Sequence, residues 1–436
     1  MARWAYAMAG LLGAAFLLSW YVSYAAVNNL FPAPVFTRIN SAFKNVAERF
    51  WLDPWYFDIQ ASGPALSFAE PDLAAPGLIR IVGIDGDRRH FIRVIERDGT
   101  VIQQWRPNWF ELVAPGTQVP TGLTPDGPPG PVVHGTLITE NGDVVFNLEK
   151  LGTFRMNACG ELLWAQLDSG HHSLDLAADG TYWLTGAFAR RGPSRDYRNI
   201  TGRHIVDTIV QLSPDGEILS KYNLYDILAD NGLAGLLYLS TTDNMTTQVK
   251  GDLLHTNDVE IFPATLAPGL FQPGDIMVSL RNINAIIVLD PDTLKIKFKS
   301  IGQVLRQHDP DFVDGNRITV YDNNNTYPAR QPGDPGSRIV EIDARDGTLR
   351  SVFEGADRTR FFTNIMGKSQ RLDNGNWMIT SSREARAFEA TPEGQLVWEI
   401  QNLIGNGRGA ILTEASVMPA GQDAAFFENA RNTCAG

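Results

Sequence analysis

The chain has 436 residues, of which 44% are hydrophobic and 20% charged, and its net charge is -12 at neutral pH. This composition is typical of a folded protein and excludes a disordered chain. The negative charge argues against nucleic acid as a partner, since phosphate binding requires a basic surface. The length exceeds that of one compact two-layer domain, so we expect several domains or one large cyclic array.

The N-terminal segment has no charged residue between Arg3 and Arg38. Residues 5–27 are mostly apolar, and about 20 apolar residues are enough to cross a bilayer as a helix. We therefore predict a membrane anchor within residues 1–30, with a cytoplasmic N-terminus; a cleaved signal peptide is the alternative. Both readings place the rest of the chain outside the cytoplasm. The anchor predicts a single-pass inner-membrane protein whose main domain is periplasmic.

Residues 31–76 are expected to form a juxtamembrane helix and a linker. The helix is indicated by Ile39, Phe43, Val46 and Phe50, which recur at helical spacing.

From residue 77 onward the pattern is one of strands joined by tight turns. A hairpin with an Asp85-Gly86 turn comes first. A turn followed by a strand then occurs six times. Five of these turns end in glycine and one is Pro291-Asp292. The turns are at residues 98–99, 159–160, 215–216, 291–292, 346–347 and 393–394. The repeat predicts an all-β, six-bladed β-propeller over residues 77–436, with a helical insertion at 224–239. The last blade is expected to close by pairing the two ends of the chain, because closure removes exposed sheet edges.

A second set of turns lies between those of the first set: 141–142, 179–180, 314–315 and 374–375. These turns would join the two inner strands of a blade. His134, His172 and His308 each come seven or eight residues before such a turn, and His255 opens a similar segment. The starts of innermost strands all lie at one end of a propeller, so these four side chains should converge there. His90 and His204 have no such register, and we expect them at the surface.

The two cysteines, Cys159 and Cys434, lie far apart and match no zinc-binding spacing. We expect two unpaired thiols, with a disulfide that ties back the C-terminus as the alternative.

Several motifs together resemble the signature of bacterial arylsulfotransferases. They are Gln307-His308-Asp309-Pro310 with Gly315-Asn316 and Asp322-Asn323, then His255-Thr256-Asn257-Asp258, residues 275–282, and His171-His172-Ser173-Leu174-Asp175. The resemblance implies a six-bladed propeller that moves a sulfuryl group between phenols without a nucleotide donor. It implies no cofactor and no metal, and its partners would be a phenolic sulfate donor and a phenol acceptor. One departure is Lys368-Ser369, which stands where the family often has a histidine.

The resemblance also implies roles for individual residues. His308 would be the nucleophile that forms a sulfohistidine, and His172, His255, Asn257 and Arg281 would contact the sulfate. A neutral imidazole is a good nucleophile near neutral pH, and a guanidinium is suited to bind a sulfate. We expect His255 to act as acid and base, and Asn257 to donate to a sulfate oxygen. His134 joins the predicted substrate-binding residues on its position alone.

Two alternatives belong to other functional classes. The first is a non-catalytic, membrane-anchored propeller that acts as a scaffold or assembly subunit. The second is a metal-dependent propeller hydrolase, with ligands drawn from His255, Asp258 and Glu260 or from His308 and Asp309.

Overall fold

The structure is a computed structural model, and it describes residues 2–28, 30–31, 35, 56–57, 59–61, 63–119, 125, 127–168, 170–238, 249–326, 334–405 and 407–434. The chain divides into two compact units, Met1–Asp58 and Ile59–Gly436. The helix predicted within residues 39–50 lies outside the described residues.

Helix α1 (Ala2–Asn28) is the regular element of the first unit. No helix in the part of the chain that the structure describes has both the length and the hydropathy needed to cross a membrane. The membrane anchor predicted within residues 1–30 is therefore not confirmed.

The second unit consists mainly of strands. In chain order they are β1 (Ile59–Gln60), β2 (Leu66–Phe68), β3 (Ile79–Ile84), β4 (His90–Ile95), β5 (Val101–Trp105), β6 (Val133–Ile138), β7 (Val144–Leu148), β8 (Gly152–Met156), β9 (Leu162–Gln166), β10 (Gly170–Leu176), β11 (Tyr182–Arg190), β12 (Ile200–Leu212), β13 (Ile218–Asn223), β14 (Val249–Asp252), β15 (Thr256–Ile261), β16 (Ile276–Leu280), β17 (Ala285–Leu289), β18 (Ile296–Ile301), β19 (His308–Asp314), β20 (Arg317–Asp322), β21 (Arg338–Asp343), β22 (Leu349–Phe353), β23 (Lys368–Arg371), β24 (Trp377–Ser381), β25 (Arg386–Ala390), β26 (Leu396–Gln401), β27 (Leu403–Gly405), β28 (Arg408–Gly409) and β29 (Leu412–Val417). Its α-helices are α2 (Trp109–Leu112), α3 (Leu224–Asp230) and α4 (Ala424–Cys434). Short 3-10 helices span Pro71–Leu73, Ala234–Tyr238, Arg281–Ile283, Asp357–Thr359 and Ser382–Glu384.

Within the described residues these strands form seven sheets, six of which contain four antiparallel strands in a row. We number those six: sheet 1 is β29-β3-β4-β5, sheet 2 is β6 to β9, and sheet 3 is β10 to β13. Sheets 4, 5 and 6 are β15 to β18, β19 to β22 and β23 to β26. Strand β14 adds to sheet 3 beside β12, and β2 adds to sheet 6 beside β26.

The first strands of the six sheets contact one another in a closed cycle, in the order β6, β10, β15, β19, β23, β29 and back to β6. A side chain bonds to the backbone of the next first strand in every step of this cycle. The side-chain and backbone partners are Asn147 with Ser173, Asp175 with Ile261, Glu260 with Phe312, Asp309 with Ser369, Thr380 with Ala415, and Glu414 with Thr136. The second unit is therefore all-β and propeller-like.

The two ends of the second unit meet in sheet 1, as the sequence predicts. Strand β29 pairs with β3, and Ala415 lies opposite Ile81. Residues 59–76, which were predicted as linker, contribute β1 and β2 to sheets.

The predicted turns fall at two equivalent places in the sheets. The six turns of the first set each connect the third and fourth strands of a sheet, as at 98–99 between β4 and β5. The four turns of the second set each connect a first and a second strand, as at 314–315 between β19 and β20. The helical insertion predicted over 224–239 is confirmed by α3 and the 3-10 helix Ala234–Tyr238.

The core lies between neighbouring sheets, so a middle strand buries both of its faces. All five residues of β17 are buried, and Ile287 packs in one cluster with Val278 and Trp183. Each fully buried side chain of this size contributes about 1.5–3 kcal/mol. This packing between neighbouring sheets fixes the positions of the first strands.

The C-terminal helix α4 folds back on sheets 1 and 2. Phe427 is fully buried and its ring lies 6.3 Å from that of Trp105. This packing brings Cys434 to Cys159, and the two form a disulfide with a Cα–Cα distance of 6.1 Å. The expectation of two unpaired thiols is wrong, because tertiary packing joins positions 275 residues apart.

Candidate active site

The four predicted histidines lie at the same place in four neighbouring sheets. His134, His172 and His308 belong to the first strands β6, β10 and β19, and His255 directly precedes β15. The pairing register shifts at each of these positions, between residues 134 and 136, 170 and 174, 256 and 258, and 308 and 311. Such bulges change the direction of a side chain, and here they accompany rings that gather at one end of the cycle.

Three of the rings are in direct contact. His134 stacks on His172 with centroids 4.7 Å apart and planes 6° apart. His172 Nε2 lies 3.3 Å from His255 Nε2. His171 tilts against His172, with centroids 4.1 Å apart.

Gly135 permits this close approach. Its φ of +54° favours glycine, and a Cβ there would lie 2.7 Å from the carbonyl oxygen of His172.

Asp252 holds His255. Its carboxylate lies 2.5 Å from His255 Nδ1 and also accepts the backbone N–H of His255. Burial would raise the pKa of Asp252, but the hydrogen bond from His255 and nearby positive charge, including that of Lys150, together outweigh burial and lower the pKa. An ionised carboxylate only accepts, so the proton of neutral His255 is on Nδ1 and its Nε2 carries the lone pair.

His308 is fixed from both sides of its ring. Nδ1 lies 2.7 Å from Asn323 Oδ1, and Nε2 accepts the backbone N–H of Met366 at 3.1 Å. The Asn323 amide is itself oriented, because its Nδ2 donates to the carbonyl oxygens of Thr363 and Met366. His308 therefore carries its proton on Nδ1 and a lone pair on Nε2.

The pKa of His308 is well below 6.5, first because of burial and then because of the positive charge of Arg281. Burial also lowers the pKa values of His134, His172 and His255. All four rings are consequently neutral at pH 7.

A narrow cavity lies between these side chains. Its volume is about 20 Å³, and it is lined by His134, His172, Ser173, Asn257, Asp258, His308, Asp309, Met366, Gly367, Lys368 and Thr413. Four of the six predicted site residues, His134, His172, Asn257 and His308, thus line this cavity.

Lys368 supplies positive charge to this cavity. Its Nζ lies 2.7 Å from Asp309 Oδ1. Burial lowers the pKa of the ammonium, but the charges of Asp309, Glu414 and Asp258 outweigh this and the pKa is raised. A permanent cation beside neutral imidazoles suits an anionic group such as a sulfate.

Arg281 lies at the end of β16 and does not line the cavity. Its backbone N–H donates to the carbonyl oxygen of His255, and its guanidinium donates to Asn282 Oδ1. Burial and then the charge of Arg306 lower its pKa to about 10, so it stays protonated at neutral pH. Its charge acts on both His255 and His308.

Asn257 presents a different atom from the one expected. Its Nδ2 donates to the carbonyl oxygen of Gln307 at 2.7 Å, and its buried Oδ1 has no hydrogen-bond partner among the described residues. The amide oxygen, which accepts, is therefore the group left unsatisfied, whereas the sequence predicted a donor.

His90 and His204 are buried, each 2% exposed, so their predicted surface positions are wrong. His90 Nε2 bonds to the carbonyl oxygen of Pro129, and His204 Nδ1 bonds to that of Gly202. One nitrogen of each ring thus has a backbone carbonyl partner, which offsets part of the cost of burial.

The structure adds residues to which the sequence reasoning gave no role, namely Asp252, Asn323 and the Met366 backbone. Asn323 belongs to a motif quoted above. The only sequence signal for Asp252 is a carboxylate three residues before a histidine. Met366 acts through its backbone, which no residue pattern reveals.

Two carboxylates of the alternative metal site, Asp309 and Glu260, bond to neighbouring sheets. Both oxygens of Asp309 accept, from Lys368 Nζ and from the backbone N–H of Ser369. Glu260 Oε2 accepts the backbone N–H of Phe312 in the neighbouring sheet. These carboxylates therefore tie sheets together.

Comparison with protein families gives a match over residues 136–403 to the family described as Arylsulfotransferase (ASST). The match covers more than half of the chain and includes the site residues from His172 to Lys368. No curated protein matches the chain.

Several solved structures are similar to the chain at low identity. A protein of unknown function from Bacteroides caccae is 13% identical, with a TM-score of 0.45, over 78% of this chain and 98% of that one. Virginiamycin B lyase from Staphylococcus aureus is 14% identical, with a TM-score of 0.34, over 61% of this chain and 69% of that one. A chain of a nidogen/laminin complex is 9% identical, with a TM-score of 0.44, over 79% and 99%. These likenesses are too distant to carry an argument about function.

Proposed function

Because the chain belongs to the arylsulfotransferase family, we propose that it moves a sulfuryl group from a phenolic sulfate ester to a phenol without a nucleotide donor. The observation that carries this proposal is the fixed tautomer of His308. Its proton is held on Nδ1 by Asn323, which leaves the Nε2 lone pair as the nucleophile.

In the first step His308 Nε2 attacks the sulfur of the donor ester. The N–S bond forms as the S–O bond to the phenol breaks, and the phenolate leaves with the bonding pair. The product on the enzyme is a sulfohistidine, in which the positive imidazole ring offsets the negative sulfuryl group. Transition states of this type are loose, so catalysis depends on positioning and on charge stabilisation.

Attack requires Nε2 to give up its hydrogen bond from the Met366 backbone. The residues around this amide have left-handed conformations, with φ of +60° at Met366 and +111° at Gly367. Once released, the Met366 N–H becomes a donor for a sulfuryl oxygen beside the nucleophile. A sulfuryl oxygen of the substrate thus replaces His308 Nε2 as the acceptor of the Met366 N–H.

Two cations serve the anionic substrate in this proposal. Lys368 lines the cavity and binds the sulfuryl oxygens, and Arg281 stabilises the departing phenolate through its charge. His134 and His172 also line the cavity, and they position the donor.

In the second step the acceptor phenol attacks the sulfur, and the S–N bond to His308 breaks. The phenol proton passes to His255 Nε2, the lone-pair nitrogen that Asp252 orients through Nδ1. The proton then moves to the first phenolate, so the cycle ends with a phenol, a new sulfate ester and a neutral His308.

We further propose that sheets 1 to 6 are the six blades of a β-propeller and that the reaction takes place at one mouth of its axis. The closed cycle of first strands supports this arrangement. We also propose that the second unit works outside the cytoplasm, because structural disulfides persist in oxidising compartments.

A scaffold that had lost the activity is the competing function. It would have no need to keep a nucleophile, an oriented base and two cations at one end of the cycle of first strands. The retained bonds of His308, His255 and Lys368 therefore favour the enzyme.

The test is a transfer assay with a chromogenic aryl sulfate and a second phenol. We expect release of the first phenol to depend on the acceptor, with sulfate appearing on the acceptor and not in solution. His308→Asn should abolish transfer, and His204→Asn, a buried histidine in β12, should retain it. Failure of the wild-type protein to turn over any of a panel of aryl sulfates would favour the scaffold.

A further inference from the structure

A second group of ligand-type side chains lies behind the proposed sulfuryl site, at Glu149, His171 and His172. One nitrogen of each ring and one carboxylate oxygen all lie within 4.8 Å of one another. His171 and His172 are adjacent in sequence, yet their rings are in contact because β10 is irregular between residues 170 and 174. Glu149 directly follows β7.

The tautomer of His171 follows from its hydrogen bond. Its Nδ1 lies 3.0 Å from the carbonyl oxygen of Thr256, which can only accept. Nδ1 therefore carries the proton and Nε2 carries a lone pair. This Nε2 is buried and has no hydrogen-bond partner among the described residues.

The tautomer of His172 follows from a chain of two bonds. Asp252 fixes the proton of His255 on Nδ1, so His255 Nε2 accepts. His172 Nε2, 3.3 Å away, must then be the donor, and His172 Nδ1 carries the lone pair. In the described residues this Nδ1 also is buried without a partner.

Two buried lone pairs of this kind are costly unless something satisfies them, and a carboxylate lies beside them. A metal-bound histidine usually donates its other N–H to a carbonyl or carboxylate. His171 does so to Thr256, and His172 does so through His255 to Asp252. The second nitrogens, His171 Nε2 and His172 Nδ1, are thus left with lone pairs that can bind a metal ion.

We propose that Glu149, His171 and His172 bind one divalent transition-metal ion, for which Zn²⁺ is the best match. Two imidazoles and one carboxylate are a known ligand set for Zn²⁺, and they leave a fourth position open. The site goes beyond the proposed function, since sulfuryl transfer through His308 needs no metal. It uses His171 Nε2 and His172 Nδ1, two nitrogens that have no part in the proposed transfer steps.

Lys150 lowers the affinity of the proposed site for a metal ion. Its Nζ lies 3.7 Å from Glu149 Oε1 and 3.6 Å from Asp252 Oδ2. The ammonium competes with a metal ion for the Glu149 carboxylate. Removing that charge should therefore tighten metal binding, whereas it would do nothing for a purely structural cluster.

The experiment uses full-length, tag-free protein stripped with a chelator and then titrated with Zn²⁺, read by calorimetry and native mass spectrometry. We expect one Zn²⁺ per chain, an affinity at least about 10-fold weaker in Glu149→Gln, and further loss in His171→Asn. Lys150→Met should bind more tightly, and Glu140→Gln, an exposed acid after β6, should match the wild type. Circular dichroism checks that each variant folds.

Two results would overturn the proposal. One is the absence of stoichiometric Zn²⁺ binding to the wild-type protein. The other is wild-type affinity in Glu149→Gln, which alters the partly exposed ligand and leaves the buried rings in place. Neither result depends on sulfuryl transfer, so the metal site and the proposed function can fail separately.

Discussion

His308 Nδ1 and Asn323 Oδ1 lie 2.7 Å apart, and this contact, with that of Nδ1 to the Arg306 carbonyl oxygen at 3.1 Å, holds the ring proton on Nδ1. The Asn323 amide cannot turn over, because its Nδ2 donates to two backbone carbonyl oxygens. The nucleophile is thus oriented by a residue that does not line the cavity.

Asn323→Ala should lower kcat about 10-fold and leave KM nearly unchanged, because His308 would lose the acceptor that orients its ring and its Nδ1 proton in the transition state. The matched control is Asn374→Ala. Asn374 is an exposed residue at the turn before β24, and its loss should leave both constants at wild-type values. A variant at Asn323 with full kcat would show that the tautomer is set in another way.

Lys368→Gln should raise KM for the aryl sulfate about 10-fold, which corresponds to about 1.4 kcal/mol of lost attraction for the sulfate. Lys368→Arg should restore part of the affinity. Lys299→Gln, which removes an exposed lysine of β18, serves as the control. An unchanged KM in Lys368→Gln would place the sulfate away from this wall of the cavity.

Stability should fall as the pH drops from 6.5 to 4. Burial lowers the pKa of His90 to about 4, against 6.5 for the unfolded chain. The unfolded state therefore takes up the proton first, so this contribution is complete above pH 6.5 and is lost as the pH falls. Between pH 7 and pH 4 it amounts to about 3 kcal/mol.

Denaturant unfolding of the wild type and His90→Gln at both pH values measures this contribution. Between pH 7 and pH 4, the free energy of unfolding of the variant should fall by about 3 kcal/mol less than that of the wild type. His308 and His172 shift in the same direction, so the variant should still keep some pH dependence. Identical losses in the two proteins would contradict a buried, neutral His90.

Removal of the disulfide should destabilise the second unit. Cys159 and Cys434 close a loop of 275 residues, and cross-links of this kind contribute about 2–4 kcal/mol. Cys434→Ser, or reduction of the wild type, should lower Tm in calorimetry by a matching amount. A Tm unaffected by reductant would mean that the two thiols are unpaired in solution.

The sequence predicted much of this fold because its turns are local signals. Asp-Gly and Asn-Gly pairs mark tight turns wherever they occur, and their recurrence located the connections between strands. The placement of His134, His172 and His308 followed from those turns alone. Closure by the chain ends followed from the cost of an exposed sheet edge.

What the sequence could not predict depends on contacts between distant residues. Cys159 meets Cys434 because α4 packs on sheets 1 and 2, and no local pattern encodes that packing. His90 and His204 find backbone acceptors that are visible only in three dimensions. The amide orientation of Asn257 is set by the carbonyl group of Gln307, fifty residues away in sequence.

The central claim is that His308 carries the sulfuryl group between donor and acceptor. The most direct measurement is mass spectrometry of the intact protein and of its peptides after brief exposure to an aryl sulfate with no acceptor present. We predict a mass increase of one sulfuryl group on the peptide that contains His308. The modification should disappear when a phenol is added and should be absent in His308→Asn. Active transfer without this adduct, or with an adduct on another residue, would contradict the mechanism.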